Sequence, residues 1–256
     1  MSRLPVIVGF GGVNPAGRSS SHHGYRRMVI DKMSSAVKDK TFASLAALMN
    51  RTDSTSAEAR KAMLDHTLVR RLETNLFDAN SIPLHKRATI KGASSEAISF
   101  SIKRNHLPDN IPKDWVVEEA GDRVVVSVTG DLDLLFNDTR SSRVLAAGQL
   151  PSGFDPEKLY QSRNHPRGLQ LTVFGASDAL NSLGIQWDEV RRRVPADQIS
   201  VYASSAMGQL DTNGSGGLLQ AGLMGKRVSS KNLPLGLAEM TADFVNAYIL
   251  GNMGTT

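Results

Sequence analysis

Ile199-Ser200-Val201-Tyr202-Ala203-Ser204-Ser205-Ala206-Met207-Gly208 is the stretch on which the reading of the fold turns. Ile199–Ala203 predicts a strand. The run of mostly small residues Ser204–Gly208 predicts a tight turn, where small side chains let backbones approach. Downstream, Asn213-Gly214-Ser215-Gly216-Gly217 opens the apolar run Leu218–Met224. Then Met240–Leu250 places Met240, Phe244, Ala247 and Tyr248 on one helical face. Upstream, Trp187–Arg193 predicts a short charged helix. Residues 165–183 predict a longer one, with Leu169, Val173, Ala176, Leu180 and Leu183 on one face. Pro166 suits its first turn and Gly184 its stop. Gly148–Asp155 reads as a loop, and the chain changes character at about residue 148.

The first half is less regular. Residues 5–10, Pro-Val-Ile-Val-Gly-Phe, predict a buried strand running into a turn at Gly9, Gly11 and Gly12. Residues 21–50 predict helix, from Met28, Val29, Met33 and Val37 and then Leu45, Leu48 and Met49. Residues 51–66 are polar and weakly periodic, and 67–95 read as short elements joined by loops. Ala97–Lys103 alternates as a strand does. Trp115–Glu119 and Arg123–Thr129 flank the turn Ala120-Gly121-Asp122 and predict a hairpin, with Leu132–Phe136 as a third strand. No internal repeat is visible.

Composition removes whole classes of function. A chain of 256 residues with 40% hydrophobic and 21% charged residues is one large globular domain or two small ones. No apolar run is long enough for a membrane span, and the N-terminus lacks the apolar region of a signal peptide. The expected location is the cytoplasm. There is no cysteine, hence no disulfide, thiolate metal site or thiol nucleophile among these residues. The six histidines show no metal-binding spacing, so no metal is expected. Residues 1–40 hold seven basic and two acidic residues, while the rest balances. Such a segment attracts an acidic partner or is a solvated helix face. Only Tyr25 interleaves with these cations, and 14 aromatics in all supply few base-stacking platforms, so no nucleic acid is expected.

Two catalytic motifs fail on inspection. Gly9-Phe10-Gly11-Gly12-Val13-Asn14 begins like a dinucleotide fingerprint but has Asn14 at the third glycine position. A nucleotide-binding domain built on Gly9–Gly12 stays open as an alternative, against a plain structural turn. Ser204 and Ser205 lack the elbow pattern of a hydrolase serine.

The run Ile199–Gly208 resembles the strand and small-residue turn of β-ketoacyl-acyl-carrier-protein synthases. The Gly-rich stretch after it, the arm Arg227–Leu237 and the helix Met240–Leu250 follow in that family's order. Phe154-Asp155 to Tyr160, then Arg163 to Leu180, is similar to its first long helix and lead-in. Leu4–Gly12 with Asn14 and Gly17-Arg18-Ser19-Ser20 looks like the first strand of the bacterial branch that condenses acetyl-CoA with malonyl-acyl carrier protein. The resemblance covers roughly residues 1–30 and 145–256.

It implies an α/β fold: the N-terminal half of a thiolase-type layered αβαβα architecture, with an α+β insertion at residues 31–144. It implies an acyltransferase of fatty acid synthesis that needs no cofactor beyond its acyl-CoA and malonyl-carrier substrates. Acyl carrier protein is then the partner, and the full-length enzyme a homodimer. The family's cysteine nucleophile and two histidines have no counterpart here, so this chain by itself is expected to be inactive, with no catalytic residue of its own. By position, Ala206 and Met207 are the candidate wall of the acyl pocket, against plain core packing. A non-catalytic partner of the chain-length-factor type is the alternative function.

Overall fold

The computed structural model describes residues 4–75, 77–92 and 96–253. The chain forms two compact units: residues 1–71 with 146–256, and Leu72–Leu145. The insertion expected from residue 31 is thus compact only from Leu72, because residues 31–71 pack their apolar side chains into the first unit.

That first unit opens with a two-residue ribbon, β1 (Val13–Asn14) against β2 (Gly17–Arg18), and then α1 (His23–Met28). Next come α2 (Ser35–Leu48) and α3 (Ala57–Asp65). α2 buries Thr41, Phe42, Leu45, Ala46 and Leu48 on one face. Phe42, Leu45, Ala46 and Met49 meet Ile30 and Met63 in one core cluster. α3 grows from the polar stretch 51–66, where periodicity is weak. It is started by the Ser56 hydroxyl, which accepts from the Ala59 amide at 3.2 Å, and anchored by the fully buried Met63. Buried Arg27 donates to Thr67 Oγ1 (2.8 Å) and to the Leu64 carbonyl (2.9 Å), tying α1 to the end of α3. β3 (Val69–Arg71) then pairs antiparallel with β9 (Ala146–Gly148), so the chain leaves and re-enters the unit on adjacent strands.

The second unit holds β4 (Ile82–Ile90), β5 (Ile98–Lys103), β6 (Trp115–Ala120), β7 (Arg123–Val128) and β8 (Leu132–Arg140). The expected hairpin is present, with Gly121 at φ +70° in its turn and Trp115 opposite Val128. β5, not β8, is its third strand, on the far side of β7. Val124, Val126 and Val128 face a core with Phe100, Ile102, Trp115 and Val117. Ser99 and Ser127 share a 2.9 Å hydrogen bond across exposed β5 and β7 positions. β8 pairs instead with β4 over nine residues, reinforced by the cross-strand ion pairs Lys86–Asp138 and Arg87–Asp133.

Back in the first unit, α4 (Arg167–Ser182) runs from Pro166 to a stop at Gly184, whose φ is +69°. Leu169 and Val173 are buried as expected, but the buried face continues through Gln170, Phe174 and Asp178, not through Ala176, Leu180 and Leu183. α5 (Trp187–Arg193), α6 (Ser215–Gln220), α7 (Asn232–Gly236) and α8 (Met240–Val245) follow. α8 continues into a π-turn over Asn246–Leu250 that ends at left-handed Gly251. Trp187 Nε1 donates to the Leu250 carbonyl at 3.2 Å.

Two expected strands join no ladder among the described residues. Residues 5–10 form no strand, and Leu4, Val6, Ile7 and Val8 are exposed. Ile199–Ala203 carries only an isolated bridge at Ser200, and Tyr202 is 94% exposed. Their β character is a property of the side chains. A strand also needs a ladder partner, and no strand among the described residues pairs with either. The two runs leave apolar side chains such as Val6, Ile7 and Tyr202 open to solvent.

His165 gives the unit a pH signature. Its ring lies among Tyr160, Phe244 and Tyr248, with centroids 4.9–5.8 Å away, and the Tyr160 hydroxyl is 3.2 Å from Nδ1. Burial holds the imidazole pKa below its ordinary value and pushes the Tyr160 phenol up to about 12. His23 is lowered too, first by burial and then by Arg26 and Arg18. Folding therefore favours both neutral rings, and that contribution is full above the unfolded pKa of about 6.5 and lost as pH falls below it. The urea midpoint is expected to drop between pH 7.5 and pH 5.5, and to drop less in His165→Gln. The ion-paired Asp131, Asp133 and Asp138 have pKa values held low by hydrogen bonds from lysine, threonine and arginine partners, so they stay charged across this window.

Candidate functional site

The turn Ser204–Gly208 is fixed by backbone contacts with the approach to α8. The Ser205 amide donates to the Ala238 carbonyl (3.3 Å), and the Gln209 amide to that of Gly236 (3.2 Å). The Ser205 hydroxyl donates to the Gly208 carbonyl at 3.2 Å. Gly208 sits at φ +64°, where a Cβ would lie 2.7 Å from the Gly236 carbonyl oxygen. Glycine is thus required there on two counts, conformation and space. Just beyond, Asp211 accepts from the Arg167 amide at 2.6 Å and caps the start of α4. The sequence shows no trace of this cap, whose partners lie 44 positions apart.

A cleft of about 620 Å³ lies between the extended residues Val201–Ser204 and Glu239, Ala242 and Asp243. Glu239 and Asp243 are four apart, so the cap and first turn of α8 present both carboxylates along one side. That spacing is readable from sequence; their position opposite the Tyr202 strand-like run is not. Ala206 and Met207, the predicted pocket wall, are both exposed on the rim of the turn, Met207 to 73%. Neither is a core filler of this unit, and neither lines the cleft beside Val201–Ser204.

The glycines at the N-terminus have a packing role. Gly9 and Gly11 lie against the second half of α4: a Cβ on Gly9 would meet Leu183 Cδ2 at 2.7 Å, and one on Gly11 would overlap the Ala179 backbone. The Phe10 amide donates to Ser182 Oγ at 3.1 Å. Buried Asp178 accepts from the Gly12 amide (3.1 Å), the Ser20 amide (3.3 Å), the Ser20 hydroxyl (2.8 Å) and Arg18 Nη1 (3.1 Å). This hub explains the rotated face of α4. It also leaves Gly9–Gly12 pressed on a helix side, not cradling a phosphate, so the nucleotide-binding alternative loses its motif.

No protein-family model matches the sequence. The chain is 43% identical over 274 aligned residues to the β-ketoacyl-[acyl-carrier-protein] synthase FabY of Pseudomonas aeruginosa, covering 100% of this chain and 43% of that protein. The crystal structure of the noncanonical ketosynthase FabY from P. aeruginosa superposes with a TM-score of 0.87 at 44% identity, again over 100% of this chain and 43% of that one. The chain thus spans less than half the length of the relatives it matches. From end to end, this chain is similar in both sequence and α/β fold to part of that β-ketoacyl-acyl-carrier-protein synthase.

Proposed function

We propose that these residues form the N-terminal part of a 3-oxoacyl-acyl-carrier-protein synthase that condenses an acetyl primer from acetyl-CoA with malonyl-acyl carrier protein. The reading rests on one observation: similarity over the whole chain to a β-ketoacyl synthase, at 43% identity and a TM-score of 0.87. In the condensation, a thiolate takes the acyl group and expels CoA. Malonyl decarboxylation then delivers a carbanion that attacks the thioester and releases the thiolate. Each half-reaction needs a nucleophile and donors aimed at an oxyanion. With no cysteine in 256 residues, this chain does not supply the thiolate. Its contribution is scaffold and pocket wall. The partner is acyl carrier protein, the assembled enzyme is a homodimer in the cytoplasm, and the insertion over residues 31–144 has its compact part from Leu72 on.

Ala206 and Met207 are the residues of this part proposed to border the acyl pocket. Their exposure supports the idea, since side chains on an open rim are free to meet a substrate or another segment. The test uses the synthase at its relatives' length. Ala206→Phe should lower kcat/KM for longer primers at least about tenfold more than for acetyl-CoA, since steric conflict over a methylene or two is worth roughly 1–3 kcal/mol. Equal activity with every primer removes the pair from the site.

A further inference from the structure

β4 and β8 form a two-stranded ribbon that gains no third strand on either edge among the described residues. Their register sorts the side chains onto two faces. Leu84, Ala88 and Ile90 of β4 share one face with Leu132, Leu134 and Phe136 of β8. The other face is polar save for Pro83 and Leu135.

The apolar face has no core behind it. No residue of either strand is buried, and Phe136 and Ile90 stay 41% and 44% exposed. Of the ribbon's side chains only Leu132, at one end, packs against a buried cluster, the valines of β7. A two-stranded ribbon is marginal in water until its apolar face is covered.

Charge indicates what covers it. Lys86 pairs with Asp138 across the strands on this face, and Arg87 pairs with Asp133 on the other. The apolar face thus carries one cation and one anion side by side, with Arg140 left over at its end. A strongly charged partner finds no opposing field there. In an isologous contact the same face meets itself, so a net charge repels while a cation beside an anion is self-complementary. With a two-fold axis along the ribbon, β4 of one copy lies over β8 of the other. Ala88 then faces Leu134, Ile90 faces Leu132, and Lys86 comes beside Asp138 of the second copy.

We propose that the apolar face of the β4–β8 ribbon docks against the same face of a second copy of this chain. The contact uses none of the residues assigned above to the acyl pocket, so it stands apart from the condensation reading.

Sedimentation velocity of the 256-residue chain, from about 1 to about 200 µM, tests it. A monomer–dimer equilibrium is expected, with a Kd on the order of 10 µM, the strength of a small interface. Phe136→Asp puts a carboxylate on the face in both copies and should weaken association at least about tenfold. Leu135→Asp, next in the strand but on the opposite face and at a position 56% exposed, should leave the Kd within about twofold. Both positions are exposed, so both variants should keep a cooperative melt. Should Phe136→Asp unfold, Ile90→Glu, further along the same face, takes its place. A chain that stays monomeric throughout leaves the face to a different protein or to another segment, and overturns the proposal. So does association that the variants on the two faces weaken equally, or that neither weakens.

Discussion

Mixed with acetyl-CoA and malonyl-acyl carrier protein, the purified 256-residue chain is expected to yield no β-ketoacyl product and no acyl adduct. The family's chemistry needs a thiolate to hold the acyl group, and the chain contains no cysteine. At the turn, the Ser205 hydroxyl is committed to the Gly208 carbonyl. Removal of a nucleophile alone lowers turnover on the order of 10⁵-fold or more, which places the rate below detection. The assay is radiometric for product and intact-mass for adduct, run beside the protein at its relatives' length as the active control. Turnover by the short chain, or an adduct on one of its serines or lysines, contradicts the expectation and identifies a nucleophile these residues were not assigned.

The second large effect falls on stability. Asp178→Asn keeps the shape of the side chain but replaces one oxygen by an NH₂ group. Each carboxylate oxygen now serves two donors: Oδ1 serves Arg18 and the Ser20 hydroxyl, and Oδ2 the Gly12 and Ser20 amides. Either orientation of the amide turns an N–H toward two donors inside a site where the residue is 3% exposed. Arg18, about one-third exposed, can rehydrate; the Gly12 and Ser20 groups have less recourse. A loss of about 3 kcal/mol is expected from unmet buried hydrogen bonds. Hydrogen exchange should show the amides of Gly12 and Ser20 opening first, because the hub holds the N-terminal segment to α4. A urea midpoint within error of wild type contradicts the hub.

These residues also mark where the sequence speaks and where it is silent. The hairpin over residues 115–128 is legible because β-branched runs flank a turn with glycine at positive φ. The ends of α4 are legible because Pro166 and Gly184 have local reasons to be there. Its buried face is not, since Asp178 is drawn inward by donors about 160 positions away. The nine-residue pairing of β4 with β8 is hidden for a similar reason. Ile-Pro-Leu-His-Lys-Arg-Ala-Thr-Ile does not alternate, and its charges find partners only across the ladder. Residues 5–10 and 199–203 have the composition of strands, but pairing is non-local, and composition does not show whether a partner is present. At the candidate site, the small-residue turn and the Glu239–Asp243 spacing are readable. The cleft that joins them to Tyr202 depends on how the chain folds back.

Intact-mass analysis of the protein at its relatives' length, incubated with acetyl-CoA and then digested, tests the proposed activity most directly. A single acetyl group is expected on a cysteine outside these 256 residues, discharged on addition of malonyl-acyl carrier protein. A folded protein that takes up no acetyl group, or takes it up on a residue within this chain, contradicts it.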